Sequence, residues 1–248
     1  MKKPVRSYLK ILNEFINLQS PFDAEIIGNV NYGESYPFIS LHTHSKVRFN
    51  VMMNSGAHGT ESIGVRVMLR FLQEFNRELL NNYNFIIFPV VNPYGYRYAC
   101  RKNGANQYGN NGFNQNKPED LTQEAKLIGD TVPPRIDLFV DIHADNKTGF
   151  YIYERKRPNK PSLAEQSLNV LKKNKIEVLN ANTVYSEKCV NGVIGTPIRD
   201  GSMDNSVFDR GAIYSLCIEI PSKMKEDQQM IGCLLLIGEI LRNFKEIK

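Results

Sequence analysis

Apolar and polar positions along the chain fall into two alternating patterns. Short apolar runs of strand length recur: "AEIIGNV", "FISLHTH", "RFNVMMN", "NFIIFPVV", "RIDLFVDIH", "GFYIYE" and "AIYSLCIEI". Between several of them, apolar residues return at three- and four-residue spacing, which predicts helices over Ser62–Leu80, Leu121–Asp130, Ser162–Lys173 and Glu226–Phe244. An amphipathic N-terminal helix is predicted from Tyr8, Ile11, Leu12, Phe15 and Ile16. Strands alternating with helices predict an α/β fold of three layers, α/β/α, with helices on both faces of a twisted sheet. The first three runs follow one another with no helix between them, so the sheet is expected to mix parallel and antiparallel strands.

The chain has 248 residues, 42% hydrophobic and 23% charged, which is ordinary for a globular protein. No composition break marks a boundary, and residues 1–248 are read as a single catalytic domain. Thirty-one basic against 26 acidic residues leave a net charge of +5 with no dense basic block, which argues against nucleic acid as a partner. The N-terminal segment is interrupted by Arg6, Lys10 and Glu14, unlike a secretory signal. No run reaches the ~18 apolar residues of a membrane span. Cys100, Cys189, Cys217 and Cys233 lie far apart, with Cys217 and Cys233 in apolar runs where a thiol serves as a small hydrophobe. These features give the expectation of a cytoplasmic protein with no membrane association; oligomeric state is left open.

Candidate chemistry sits where apolar runs stop, the place where open α/β sheets bind ligands. "VMMNSGAHGTE" brings His58 and Glu61 after one run, "IDLFVDIHADN" brings His143 at the end of another, and "YSLCIEIP" holds Glu219 inside a third. Two imidazoles and a carboxylate are the donor set of hydrolytic zinc, with a fourth position left to water. Glu219 is the candidate general base, its pKa raised by burial. Each feature taken singly has a plain structural reading; their occurrence together and in order favours a metal site. The stretch Asn103–Asp120, "NGANQYGNNGFNQNKPED", is read as a long loop.

With these residues in hand, the chain resembles the zinc carboxypeptidases of the funnelin type, a superfamily that includes aspartoacylase and succinylglutamate desuccinylase. "SGAHGTES" is similar to the family's His-x-x-Glu metal motif, "VVNPYGY" to its Asn-Pro strand end, and "FVDIHAD" to the strand of its second histidine. "DGSMDNSVFDRGAIYSLCIEIP" is similar to the stretch that ends in its general base and carries an aspartate, here Asp204, upstream. The resemblance implies a zinc-carboxypeptidase-like fold and one Zn2+ per chain on His58, Glu61 and His143, with Glu219 as base. It also implies Arg101, nine residues after Asn92, as the cation facing the developing oxyanion. Arg97 is the competitor for the same job and, with Asn114 and Gln115, a candidate for contact with substrate.

The departures bear on specificity. Asn114 matches a family asparagine, but Gln115 stands where the family has the arginine that grips a substrate carboxylate; an amide makes no charged fork. Gly112 replaces an aspartate that would orient a zinc-bound histidine, and Thr196 and Pro197 occupy the neighbourhood of a family tyrosine. His42 and His44, two apart, share a strand face and are read as an exposed pair. The expected function is hydrolysis of an amide bond in a small peptide or peptide-like substrate by a metallopeptidase. The alternatives are deacylation of an N-acyl amino acid and a non-catalytic binding protein on the same fold.

Overall fold

The computed structural model describes residues 3–19, 21–45, 47–110, 112–113, 119 and 121–247. Its centre is an eight-stranded sheet in the order β1-β2-β4-β3-β5-β10-β6-β9. The strands are β1 (Asp23–Asn31), β2 (Ser35–His42), β3 (Phe49–Ser55), β4 (Tyr83–Phe88), β5 (Leu138–Asp145), β6 (Tyr151–Lys156), β9 (Val193–Ile194) and β10 (Tyr214–Pro221). Two short strands, β7 (Thr183–Val184) and β8 (Glu187–Lys188), pair outside it. β1 and β2 form an antiparallel hairpin, β2 runs antiparallel to β4, and β10 antiparallel to β6. β4, β3, β5 and β10 are mutually parallel. The expected mixed sheet is therefore present, and its parallel centre is buried almost continuously, as strands covered on both faces must be.

The helices are α1 (Tyr8–Ile16), α2 (Ser62–Gln73), α3 (Pro93–Tyr98), α4 (Gln123–Thr131), α5 (Leu163–Lys173), α6 (Met203–Asp209) and α7 (Glu226–Ile247). Strand alternation assigns the faces. On β10, Tyr214 turns to α7, where its ring meets Phe244, while Ser215 turns the other way and donates to the Asp204 carbonyl at the start of α6. Leu216, Ile218 and Ile220 follow Tyr214 into a fully buried layer beneath α7; Cys217 and Glu219 follow Ser215 to the α6 side. The α7 side is thus the sealed core and the α6 side carries the chemistry.

One predicted helix is shorter than its apolar pattern. Ser62–Leu80 becomes α2, ending at Gln73, and a separate 3-10 turn over Arg77–Asn81. Asn76 causes the break: its side chain accepts from the Glu78 N–H and caps the new turn, a local bond that competes with a continuous helix. Phe75, just before it, packs edge-on against Phe22, Phe71 and Phe85. No helix among the described residues is long and apolar enough to cross a membrane.

Candidate metal centre and the cavity around it

Because β3, β4, β5 and β10 are parallel, their carboxyl ends open at one edge of the sheet. The order also reverses between β3 and β5, with β4 on one side and β10 on the other. A crevice at such a reversal is where an α/β sheet accepts ligands. His58 lies in the turn after β3, and Glu61 is the residue from which α2 starts, its N–H donating to the His58 carbonyl at 3.0 Å. His143 lies near the end of β5 and Glu219 near the end of β10, directly paired in register. Registered neighbours share a face, so the two side chains emerge side by side.

The turn bearing His58 is packed against α3. A Cβ on Gly59 would lie 1.8 Å from the Gly95 carbonyl carbon, so the His58 turn needs glycine for the backbones to touch, while a Cβ on Gly95 would meet the Asn92 side chain at 2.4 Å. Asn92 locks this junction. Its side-chain oxygen accepts from Gly95 N–H at 2.7 Å and caps α3, while its amide donates to the Ala57 carbonyl at 3.4 Å. The Asn-Pro motif thereby fixes the loop of the first histidine and the start of the segment leading to Arg101.

His58, Glu61 and His143 are all buried, and one donor atom from each lies within 4.8 Å of the others. Two observations test whether these residues suit a divalent ion. His58 Nδ1 is buried with no hydrogen-bond partner among the described residues, an orphan that a metal would satisfy. Burial, with the neighbouring His143, lowers the His58 pKa to about 4, so its ring is a neutral donor at neutral pH. Glu61 resists the upward push of burial because His143, His58 and Arg101 hold its pKa down, and it remains an anion. The neutral His58 ring and the Glu61 carboxylate therefore fit zinc as donors.

His143 is oriented from behind. Burial disfavours its charge, but Asp141 and Glu61 outweigh that and raise its pKa. Its Nε2 lies 3.2 Å from Asp141 Oδ2, and its Nδ1 3.1 Å from Glu61 Oε2. Asp141 thus supplies to one of the histidines the carboxylate support that the glycine at 112 cannot give. A Cβ at Gly112 would meet Thr122 Cγ2 at 2.4 Å, which explains the small residue. A carboxylate behind a metal-binding imidazole fixes the ring and raises its donor strength. Asp141 was missed in the sequence, although a charge two residues before His143 in an apolar run shares its strand face.

The centre lies in a cavity of about 440 Å³. Glu219 lines it; burial, opposed by His143 and reinforced by Glu61, raises its pKa to about 8. Arg101 also lines it, with Nη1 2.8 Å from Glu61 Oε1. Arg97 does not reach it: its guanidinium pairs with Glu34 and lies over the Tyr36 and Tyr98 rings, apart from the metal donors. Asn114 and Gln115 lie outside the described residues. Cys217, expected as a core hydrophobe, faces the cavity beside Glu219, because both lie on the odd-numbered face of β10. His42 and His44 stack on each other at 6.4 Å, away from the centre, His44 beside Asp23.

Asp204 and Pro197, both named from the sequence, also line the cavity; Tyr153, Arg155 and Tyr185 were not visible there. Tyr153 and Arg155 on β6 are registered against Cys217 and Ser215 on β10, so they continue the same face downward. Arg155 is buried, with Nε 3.0 Å from Asp204 Oδ2 and Nη2 2.6 Å from the Ile198 carbonyl. Tyr185, at the tip of the β7–β8 hairpin, also lines the cavity.

Comparison with known proteins bears on the family motif and the fold. A family model described as zinc carboxypeptidase matches residues 24–124, a span that holds His58, Glu61 and Arg101 but ends before His143 and Glu219. No curated protein sequence matches the chain. Among solved structures, a candidate metallopeptidase from Shewanella amazonensis superposes with a TM-score of 0.81 at 21% identity, covering 98% of this chain and 99% of its own. A metallo-carboxypeptidase from Pseudomonas aeruginosa, in complex with (2-guanidinoethylmercapto)succinic acid, gives 0.67 at 14% identity over 97% of this chain and 69% of its own. Bovine thrombin-activatable fibrinolysis inhibitor, in complex with a tick carboxypeptidase inhibitor, gives 0.67 at 16% identity over 96% and 94%. At these identities the superpositions speak for the fold.

Proposed function

We propose that this chain is a zinc metallopeptidase of the zinc carboxypeptidase superfamily that hydrolyses an amide bond of a small peptide or peptide-like substrate, a reading supported by the family match over residues 24–124 and by the shared fold. One observation carries the reading: three buried metal donors within 4.8 Å of one another, in a cavity whose walls also present Glu219 and Arg101. His58, Glu61 and His143 would hold one zinc ion per chain, which would supply Lewis-acid chemistry toward the scissile carbonyl and the attacking water.

The chain's own groups supply the rest. Asp141 holds the His143 ring through Nε2, leaving Nδ1 turned to Glu61 and the centre. Glu219, with its pKa near 8 before any cation is bound, accepts a proton from the attacking water and passes it to the leaving amine. Arg101 places its guanidinium where negative charge grows on the carbonyl oxygen, an interaction stronger in the transition state than in the ground state. The cavity volume of about 440 Å³ lies in the range of sites for small ligands. A binding protein that had abandoned catalysis would have no need to keep donors, base and cation together in one cleft.

The deciding experiment pairs a substrate screen with Glu219→Gln. Zinc-loaded protein is assayed against short peptides differing in their last residue and against N-acyl amino acids. Peptides are the expected substrates; exclusive turnover of N-acyl amino acids would transfer the chain to the deacylase reading. Glu219→Gln is expected to keep about one zinc per chain and to lose about 10²- to 10⁴-fold in kcat. Full activity in that variant would remove Glu219 as the base.

A further inference from the structure

The chain contains two tight two-residue turns within ten residues of each other, and they are built differently. Val190 and Val193 exchange backbone hydrogen bonds at 2.9 Å around Asn191-Gly192, whose φ angles are +54° and +81°. That is the residue pair such a turn favours, because both central positions need positive φ. The β7–β8 hairpin pairs Val184 with Glu187 around Tyr185-Ser186, whose φ angles are +47° and +71°. A bulky side chain in the left-handed region is strained, and neither residue there is the favoured type. The two turns also differ in where they look: Tyr185 lines the cavity, whereas Asn191 donates to Glu165 on α5. Strain kept at a cavity mouth, when the same chain shows the relaxed alternative nearby, marks a side chain retained for what it does there.

We propose that Tyr185 is a substrate-contacting residue whose phenol donates a hydrogen bond to an acceptor oxygen of the bound amide substrate; this rests on the reading of the cavity as a peptidase site. Tyr185 is 59% exposed and lines the cavity. Its hydroxyl now donates to Asp145 Oδ1 at 2.7 Å, two residues beyond His143. Asp145 does not depend on that bond. It also accepts from Tyr151 OH at 2.6 Å and from Asn146 N–H at 2.7 Å. Tyr185 can therefore exchange Asp145 for a substrate oxygen without leaving a carboxylate unpaired. The Lys147 ammonium, 4.5 Å from the ring centroid, holds the ring over this side of the cavity. The bond formed is a neutral phenol to a carbonyl or carboxylate oxygen, so it acts chiefly in binding.

The test uses the zinc-loaded full chain with its best peptide substrate, and Tyr185→Phe alongside the double variant Tyr185→Asn/Ser186→Gly. Phe removes only the hydroxyl; Asn-Gly rebuilds the turn with relaxed residues. Both are expected to bind zinc as wild type does and to lose about five- to tenfold in kcat/KM, carried mostly by KM, the scale of one neutral hydrogen bond. The double variant is expected to melt at or above the wild-type temperature, which separates lost contact from lost fold. Calorimetric affinity for a phosphinic dipeptide analogue should fall in parallel. Wild-type kinetics in either variant overturns the assignment while leaving the peptidase reading intact. A zinc-loaded wild type that neither turns over peptides nor binds the analogue overturns that reading, and this inference with it.

Discussion

The cavity has two walls made by different means. One is the carboxyl-terminal edge of the parallel sheet, where His143, Glu219 and the turn after β3 are fixed by strand register and a continuous buried core. The other is assembled from residues 183–204: one strained hairpin, one relaxed turn, a two-residue edge strand and the start of α6. The first wall, together with Arg101 on the loop after α3, holds every group assigned to bond breaking, and the second holds Tyr185, the residue argued to contact the substrate. Chemistry that fails with small misplacement sits on rigid elements, while recognition sits on loops that can differ without disturbing the sheet. Substitutions on the first wall should therefore act on metal content and kcat. Those on the second should act on KM and local stability.

The largest effect tests the first wall directly. His58→Ala and His143→Ala are each expected to abolish zinc retention and turnover together, read by metal analysis and by activity on the best peptide. The two should then differ in metal-stripped stability. Removing His143 deprives buried Asp141 and Glu61 of a partner, whereas His58 Nδ1 has none to lose among the described residues. His143→Ala should therefore melt lower than His58→Ala when both are stripped of metal. Equal melting temperatures would mean that Asp141 does not support the histidine as argued.

Arg101 comes next. Its guanidinium is half exposed, and the buried Glu61 that it meets also accepts from Ala144 N–H and lies 3.1 Å from His143 Nδ1, so truncation does not leave that carboxylate without partners. Arg101→Ala is expected to lower kcat by about 10²- to 10³-fold, the cost of one donor at a developing oxyanion, with zinc content unchanged. A loss confined to KM would move Arg101 from the reaction to binding, and the division between the walls would fail at that residue.

That division also explains what could be read from the chain. The strands of the first wall announce themselves as apolar runs, and His58, Glu61, His143 and Glu219 stand out because polar residues interrupt or end those runs. The strand order did not show, since pairing β3 with β5 joins segments more than 80 residues apart that carry no local mark. The second wall carries no periodicity. Tyr185 sits in a polar stretch, and Arg155 looks like one more charge in "YERKR" until β6 is registered against β10. Cys217 was misread for a related reason. An apolar run looks buried on both faces, and only the position of α6 shows that one face opens into the cavity.

The smallest predicted effect probes where the walls meet. Arg155 belongs to the sheet by position but to the far wall by its partners, Asp204 at the start of α6 and the carbonyl of Ile198. Through them it pins the second wall to the first. Asp204 also accepts from Ser202, and Asp200 accepts from Ser202 N–H and the Asn205 amide, so the segment is tied to itself as well. Removing one member of a dry ion pair costs about 3–5 kcal/mol, but water from the cavity reaches this one, and about 1–3 kcal/mol is the expected loss for Arg155→Met. The loss should be local. Hydrogen exchange should speed up over residues 183–204 and stay at wild-type rates in β3, β5 and β10, with zinc retained and KM raised more than kcat is lowered. In Arg155→Met/Asp204→Leu no charge is left unpaired, and stability should recover in part while KM remains high. Recovery of both would reduce the pair to a structural clasp; a fall in zinc content would show that the two walls are one unit after all.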